Sequence, residues 1–196
     1  MSLPLPQSNA GDSSGLVQNK KSLRQQLLSI RQAIPDHLRM QYNHLLCTQI
    51  ASWLKEKAIK TISVYLPIRA EPDLAELYES LSGKIAMALP YVAEKNAPLQ
   101  FLEWLPGQEL MDGAFNIPIP KTMKPVSLPE VLLIPCVGYT ADRYRLGYGG
   151  GFFDRTLEGQ KNILTIGVAY SCLKTAFKTD VFDIPLSLIM TEQGMV

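Results

Sequence analysis

From Lys20 onward the apolar positions follow a helical period. Leu23, Leu27, Ile30 and Ile34 share one face. Pro35-Asp36 breaks and re-caps the chain. A second helix then turns Leu38, Tyr42, Leu45, Leu46, Ile50, Trp53 and Leu54 inward and ends near Lys57. The period changes at TISVYLP (61–67), a β-branched run closed by proline, which predicts a strand. Asp73 is placed to N-cap a short helix carrying Leu74, Leu77, Tyr78 and Leu81. KIAMALP (84–90) and LQFLEW (99–104) read as strands joined in a hairpin across the polar stretch 93–98. GAFNIPIP (113–120) reads as loop, held by its prolines. EVLLIP (130–135) is apolar throughout, as strands buried on both faces are. A helix follows near Gly150, then a buried strand NILTIGVAY (162–170) and a last strand in SLIMTEQG (187–194).

Strands alternating with helices predict an α/β fold. The expectation is a single three-layer α/β/α domain over 19–196, with a mostly parallel central sheet, a hairpin extension and a helical N-terminus. Residues 1–18 are rich in Ser, Gly, Pro, Asn and Gln and predict a flexible arm.

Composition narrows the function classes. The 196 residues are 46% apolar with a net charge of +1, enough to bury one sizeable core. Balanced charge counts against a nucleic-acid or anionic-membrane partner. The first residues lack a basic stretch followed by an apolar one, and no run of about twenty apolar residues exists, so a cytoplasmic protein is expected. Cys47, Cys136 and Cys172 are odd in number and widely spaced, which predicts buried free thiols and no disulfide framework or zinc site. His37 and His44, seven apart on a helix, match no metalloprotease or triad spacing.

The chemistry concentrates in RLGYGGGFFDR (145–155). A strand, a glycine-rich loop and a helix together are how α/β proteins hold phosphate. The segment is not a Walker A loop, and in GxGxxG register its sixth position is Phe152, so it is no dinucleotide fingerprint. Read alone, it is either a phosphate site or a tight strand-to-helix connection. Arg145 is suited to a forked contact with phosphate oxygens. Asp154, in the first helical turn, either favours the helix dipole or, beside phosphates, calls for a bridging Mg²⁺. The combination suggests a nucleoside triphosphate with magnesium.

The stretch LIPCVGYTADRYRLGYGGGFFDRTL (133–157) resembles the 5-formyltetrahydrofolate cyclo-ligase (5,10-methenyltetrahydrofolate synthetase) family, with its R-L-G-x-G-x-G-[FY]-[FY]-D motif. KKSLR (20–24) is similar to that family's N-terminal K-x-x-x-R, and LPIRAEPDL (66–74), FNIPIP (115–120) and DIPLSLIMTEQG (183–194) resemble further segments, so the likeness runs from Lys20 to the end. It implies ATP- and Mg²⁺-dependent closure of 5-formyltetrahydrofolate to 5,10-methenyltetrahydrofolate, with ADP and phosphate released. It implies that Lys20, Arg24, Arg145, Leu146, Gly147, Tyr148, Gly149, Gly150, Gly151, Phe152 and Phe153 bind ATP, Arg145 also serving catalysis. Asp154 and Asp183 would hold Mg²⁺; Leu66, Glu71 and Phe115 would bind the folate, Glu71 at its pterin end. The partners expected are a reduced folate and ATP, and the protein is expected to be a monomer. No general base stands out, as suits phosphoryl transfer that relies on positioning and charge.

Three departures from the family pattern stand out. Phe152-Phe153 replaces a pair that often contains tyrosine, Thr140 follows the turn aromatic Tyr139 where aspartate is common, and Gly150 stands where some members carry lysine. Phosphate charge would then fall to Lys20, Arg24, Arg145 and the metal. Two other readings remain at this level: a folate- or nucleotide-binding module without turnover, and a sugar-phosphate isomerase or acyl-CoA transferase on a related scaffold.

Overall fold

The computed structural model describes residues 19–196, so the arm expected over 1–18 lies outside the described residues. Two helices come first, α1 (Lys20–Gln32) and α2 (Asp36–Lys55), and α3 (Ala75–Leu81) follows the first strand. The strands are β1 (Thr61–Ser63), β2 (Ala86–Tyr91), β3 (Gln100–Glu103), β4 (Leu110–Asp112), β5 (Pro118–Pro120), β6 (Pro125–Val126), β7 (Val131–Pro135), β8 (Gly138–Tyr139) and β9 (Arg145–Leu146). After α4 (Phe152–Leu157) come β10 (Leu164–Val168), β11 (Leu188–Thr191) and β12 (Gly194–Met195).

The main sheet has the order β12-β11-β10-β7-β1-β2-β3-β6. Its centre, β11-β10-β7-β1-β2, is parallel, and antiparallel pairs close both edges. The expected mostly parallel sheet and the β2–β3 hairpin are both present. Along β7 the side chains alternate between two cores. Val131 and Leu133 pack with residues of α1, α2 and α3, while Leu132 and Ile134 pack on the other face with Leu157 of α4. That double burial is why the run carries no polar position.

Several elements differ from the sequence reading. β1 pairs over three residues, not seven: beyond Val64 the backbone turns to side-chain partners, with Tyr65 N donating to Tyr78 Oη at 3.3 Å and Tyr65 Oη to Pro72 O at 2.8 Å. Asp73 caps from one residue further out, its Oδ1 accepting from Ala75 N at 3.0 Å. The stretch 113–120 is not all loop, because β5 pairs with β4, an exposed strand too short to show a period. Phe115 and Asn116 adopt positive φ (60° and 57°) between them, uncommon for a bulky side chain. Leu45 is exposed on α2, and Cys172 is exposed while Cys47 and Cys136 are buried.

The inward stripe of α1 is the most consequential difference. Leu23, Leu27 and Arg31 are buried at successive i, i+4 positions, while Ile30 is exposed. An arginine thus occupies the place where the period had put an isoleucine. Among the described residues no helix is long and apolar enough to cross a membrane.

Candidate active site

The connection after β1 leads to β2 on one side of it, and the connection after β7 leads toward β10 on the other. Between the neighbours β1 and β7 the chain therefore diverges. Such a divergence leaves a crevice at the carboxyl ends of the strands, where open α/β sheets hold ligands. β1 feeds that crevice with Leu66 to Glu71; β7 feeds it with the β8–β9 hairpin, the glycine loop (147–151) and α4. Helix α1 lies alongside and brings up Lys20, Arg24 and Arg31.

At one end the groups are buried. Arg31 is 0% exposed, and each of its three guanidinium nitrogens donates a hydrogen bond. Nε donates to Arg69 O at 3.0 Å, one terminal nitrogen to Cys136 O at 3.3 Å, and the other to Tyr148 Oη at 2.6 Å. Tyr148 Oη in turn donates to Glu71 Oε1 at 2.7 Å. The second carboxylate oxygen of Glu71 accepts from Ile68 N at 3.0 Å. A tyrosine of the glycine loop thus bridges a buried arginine and a buried glutamate. Burial holds the Glu71 carboxyl above its ordinary value, only partly offset by the Ile68 N–H and the Tyr148 hydroxyl. Burial and the adjoining Glu71 charge raise the Tyr148 phenol as well. Arg69, at a positive φ of 49°, has its guanidinium 5.5 Å from the Tyr148 ring centroid.

At the other end the charges are partly solvated. Arg24 Nε donates to Gly147 O at 2.7 Å, and a Cβ on Gly149 would lie 3.5 Å from the Arg24 guanidinium carbon. Lys20 Nζ lies 2.6 Å from Asp180 Oδ2 and 2.7 Å from Asp183 Oδ2. Desolvation alone would lower the Lys20 pKa; the two carboxylates outweigh it and raise it. Arg145 is buried, bonded to Asp154 Oδ1 at 2.7 Å and to Ile184 O at 3.4 Å. Ile184 N also donates to Asp154 Oδ1 at 3.4 Å, which ties the Asp154 carboxylate to the backbone beside Asp183. The cations expected to meet phosphate are each matched to a carboxylate or carbonyl.

Asp154 and Asp183 each pair with a cation, Arg145 and Lys20 respectively, and the Ile184 N–H next to Asp183 reaches Asp154 Oδ1. Among the described residues no group of three or more His, Cys, Asp and Glu could bind a metal. One or two carboxylates completed by phosphate oxygens and water is the common magnesium arrangement.

The remaining expected residues divide between lining and support. Leu146 is buried in the core, with its carbonyl accepting from Val137 N at 2.9 Å. Phe153 packs against the second core beneath Arg145, 5.8 Å from ring centroid to guanidinium. Leu66 packs on the first core. Phe115 is not core: it is 70% exposed and meets Phe152 edge-on at 5.8 Å. Gly151 has φ 65°, and a Cβ on Gly150 would come within 2.7 Å of the Phe152 ring. A side chain at 150 would need that ring to move. Arg155 stacks on Phe152 at 4.9 Å and donates to Gly150 O at 2.8 Å.

Sequence reasoning missed Arg31, Arg69 and Arg155. For Arg31 a signal was present, an arginine continuing the Leu23–Leu27 stripe at i+4. Arg69 and Arg155 carry no comparable mark.

A family model described as the 5-formyltetrahydrofolate cyclo-ligase family matches residues 16–192. The chain is 30% identical over 179 residues to a 5-formyltetrahydrofolate cyclo-ligase of Mycoplasma pneumoniae, covering 89% of this chain and 99% of that protein. It is 30% identical over 171 residues to the 5-formyltetrahydrofolate cyclo-ligase of Escherichia coli, covering 82% and 93%. Two solved structures are similar. The 5,10-methenyltetrahydrofolate synthetase from Mycoplasma pneumoniae superposes with a TM-score of 0.76 at 28% identity, over 89% of this chain and 99% of that one. The Aquifex aeolicus 5,10-methenyltetrahydrofolate synthetase gives 0.78 at 28% identity, over 90% and 91%.

Proposed function

The chain belongs to the 5-formyltetrahydrofolate cyclo-ligase family, and from that premise we propose how its residues perform the reaction. It is an ATP-dependent ligase that closes 5-formyltetrahydrofolate to 5,10-methenyltetrahydrofolate. The observation that carries the assignment of roles is the hydrogen bond from Tyr148, within the glycine loop, to Glu71, in the loop after β1. It joins the segment proposed to bind phosphate to the segment proposed to bind folate.

The N5-formyl carbon is a weak electrophile, because its oxygen would have to leave as hydroxide. In the reading proposed here that oxygen attacks the γ-phosphorus of ATP and ADP departs. N10 then attacks the activated carbon and loses its proton, the C–O bond breaks, and phosphate leaves. Nothing in this sequence asks the protein for covalent chemistry; it asks for alignment and charge. Lys20 and Arg24, one helical turn apart on α1, face the phosphate chain, and Arg145 stabilises charge on the transferring group. Asp154 and Asp183 would hold Mg²⁺, which would supply neutralisation of the phosphate charge. Phe115, exposed at the rim, covers the flat pterin.

Glu71 receives the aminopyrimidinone edge of the pterin. Glu71 is 3% exposed, and each of its carboxylate oxygens accepts a hydrogen bond. Because Glu71 is buried, folate reaches its carboxylate only when the side chains that cover it, Tyr148 among them, move aside. Tyr148 lies between Gly147 and Gly149, the latter at φ 96°, in backbone suited to that movement. The cytoplasm, where both substrates are found, is the proposed place of action, and the monomer is the proposed active form.

Mixing the protein with 5-formyltetrahydrofolate and MgATP should produce the absorbance of the methenyl product together with stoichiometric phosphate. Phosphate release without folate, or binding of both ligands with no absorbance change, would replace this reading with a hydrolase or a non-catalytic binding module.

A further inference from the structure

Arg24, Arg31, Arg145 and Arg155 each donate hydrogen bonds to the protein around them. Arg69 differs. It is exposed, and among the described residues its guanidinium makes no hydrogen bond or ion pair. What it meets is the ring of Tyr148, 5.5 Å from guanidinium carbon to ring centroid.

The backbone that carries this side chain is strained. Ile68 to Glu71 form a tight turn, Glu71 N donating to Ile68 O at 2.9 Å, with Arg69 and Ala70 at φ 49° and 60°. Turns with positive φ at both central positions favour Asn and Gly, because a Cβ is crowded there. This turn has neither. It is gripped from inside the protein instead: the buried Arg31 donates from Nε to Arg69 O at 3.0 Å, and Ile68 N donates to Glu71 Oε2 at 3.0 Å. The carbonyl of Arg69 is thus held inward while its side chain stands in the open. Strain that the surroundings hold in place is a mark of functional segments.

The charge lies between two proposed binding segments. Tyr148 belongs to the glycine loop, and Glu71, two residues beyond Arg69, takes the pterin edge. Leu146 to Gly151 carry no cationic side chain of their own. The anion that comes between a phosphate loop and a pterin is the phosphoryl group in transfer. The glutamate carboxylates of a folate lie further off, separated by the pterin and the aminobenzoyl ring from the edge at Glu71.

We propose that Arg69 is a further catalytic residue, whose guanidinium contacts the phosphoryl oxygens as they pass from ATP to the formyl oxygen. In that step a lone pair of the formyl oxygen forms the bond to the γ-phosphorus. The bond from that phosphorus to the β,γ-bridging oxygen breaks, and its electron pair leaves on ADP. The N5 lone pair moves into the bond to the formyl carbon. A planar guanidinium can hold two phosphoryl oxygens at once while their charge is in transit. Tyr148 moves aside as folate enters, so Arg69 has only a ring contact to give up. The inference rests on the reaction proposed above and adds to it a cation from the folate side.

Arg69→Gly is the test, because glycine suits the positive φ and keeps the carbonyl that Arg31 holds. The variant should unfold at the same or a higher urea concentration than the wild-type protein. Its kcat for methenyl formation should fall roughly 10²-fold, as when one transition-state donor is lost. The KM for each substrate should stay within about threefold. Millimolar guanidinium added to the variant should restore part of the lost kcat, and Arg69→Lys, which keeps the charge without the fork, should fall between variant and wild type. A kcat within about threefold of wild type overturns the assignment and leaves the reaction standing. So does a loss confined to the KM for 5-formyltetrahydrofolate, which would make Arg69 a folate contact. A kcat loss that guanidinium does not relieve, accompanied by lower stability, is the mark of a structural role and overturns it too. A wild-type protein that forms no methenyl product overturns the reaction, and this assignment with it.

Discussion

Lys20 and Arg31 sit on one helix eleven residues apart, and the protein holds their charges in opposite ways. Lys20 is paired at the rim with two aspartates, one of them largely solvent-exposed. Arg31 is sealed inside, bonded to two carbonyls and one hydroxyl, with its nearest carboxylate reached through Tyr148. The first arrangement exchanges partners at little cost, since water and salt already compete for it. The second exchanges none, because an unpaired charge there would be stranded. The comparison teaches that the Lys20 end can exchange its partners, while Arg31 is a fixed post against which Tyr148 is set.

The strongest way to break the comparison is to delete each charge. Arg31→Ala should cost about 3–5 kcal/mol of stability by removing the buried donor shared by the Arg69 and Cys136 carbonyls and the Tyr148 hydroxyl. Lys20→Ala should cost a small fraction of that and act on nucleotide binding instead. Urea unfolding of both variants decides it, and equal losses would end the distinction.

Arg145 tests the middle of the site, where a buried cation meets a partly buried carboxylate. Arg145→Ala should weaken ATP binding by about 1.5–3 kcal/mol, with folate binding less affected. Asp154→Asn should raise the Mg²⁺ needed for half-maximal activity. Because the two side chains are bonded, the double variant should lose less than the sum of the singles in an ATP titration. Strict additivity would mean that the ion pair has no part in nucleotide binding.

Glu71→Gln sharpens the buried end. The Michaelis constant for 5-formyltetrahydrofolate should rise at least about tenfold, from one mispaired buried contact of roughly 1–3 kcal/mol, with ATP affinity within about twofold. The same substitution changes the pH dependence of stability. Glu71 has a raised pKa in the folded protein, so between the ordinary value of 4.5 and the raised one the native state holds more protons than the unfolded state. Stability contributed by the neutral acid is present below 4.5 and declines as pH rises through the folded value. Unfolding measured from pH 4 upward should show a shallower decline in the glutamine variant.

Tyr148→Phe is the smallest and most discriminating change. If the hydroxyl masks Glu71, removing it should tighten folate binding without nucleotide by several-fold, about 1 kcal/mol. Weaker folate binding would make the hydroxyl a direct folate contact.

How far the sequence anticipated all this depended on the range of the interactions. The β7 run was plain because both of its faces are apolar, and the glycine loop was plain because its composition is local. Strands β4, β8, β9 and β12, of two or three residues, are too short to carry a period. Arg31 escaped because a helical count near the end of α1 accepts Ile30 as readily, and only a partner elsewhere tells them apart. The burial of Glu71 was equally hidden, since the tyrosine that covers it lies 77 positions away. Composition and spacing suggested a magnesium nucleotide site; the folate roles of Leu66, Glu71 and Phe115 came from family resemblance.

The separation in sequence between those partners bears on how the chain is made. Arg31 and Glu71 leave the ribosome long before Tyr148 does, and Arg24 precedes its Gly147 acceptor by 123 residues. Through most of synthesis, then, the two groups destined for burial lack the hydroxyl that joins them. β7, β10 and β11, the strands completing the parallel centre, also come late. Helix α1 must wait for the last third of the chain, where the turn at 171–173 packs against it, with its Leu23–Leu27 stripe exposed meanwhile to chaperones or to other nascent chains.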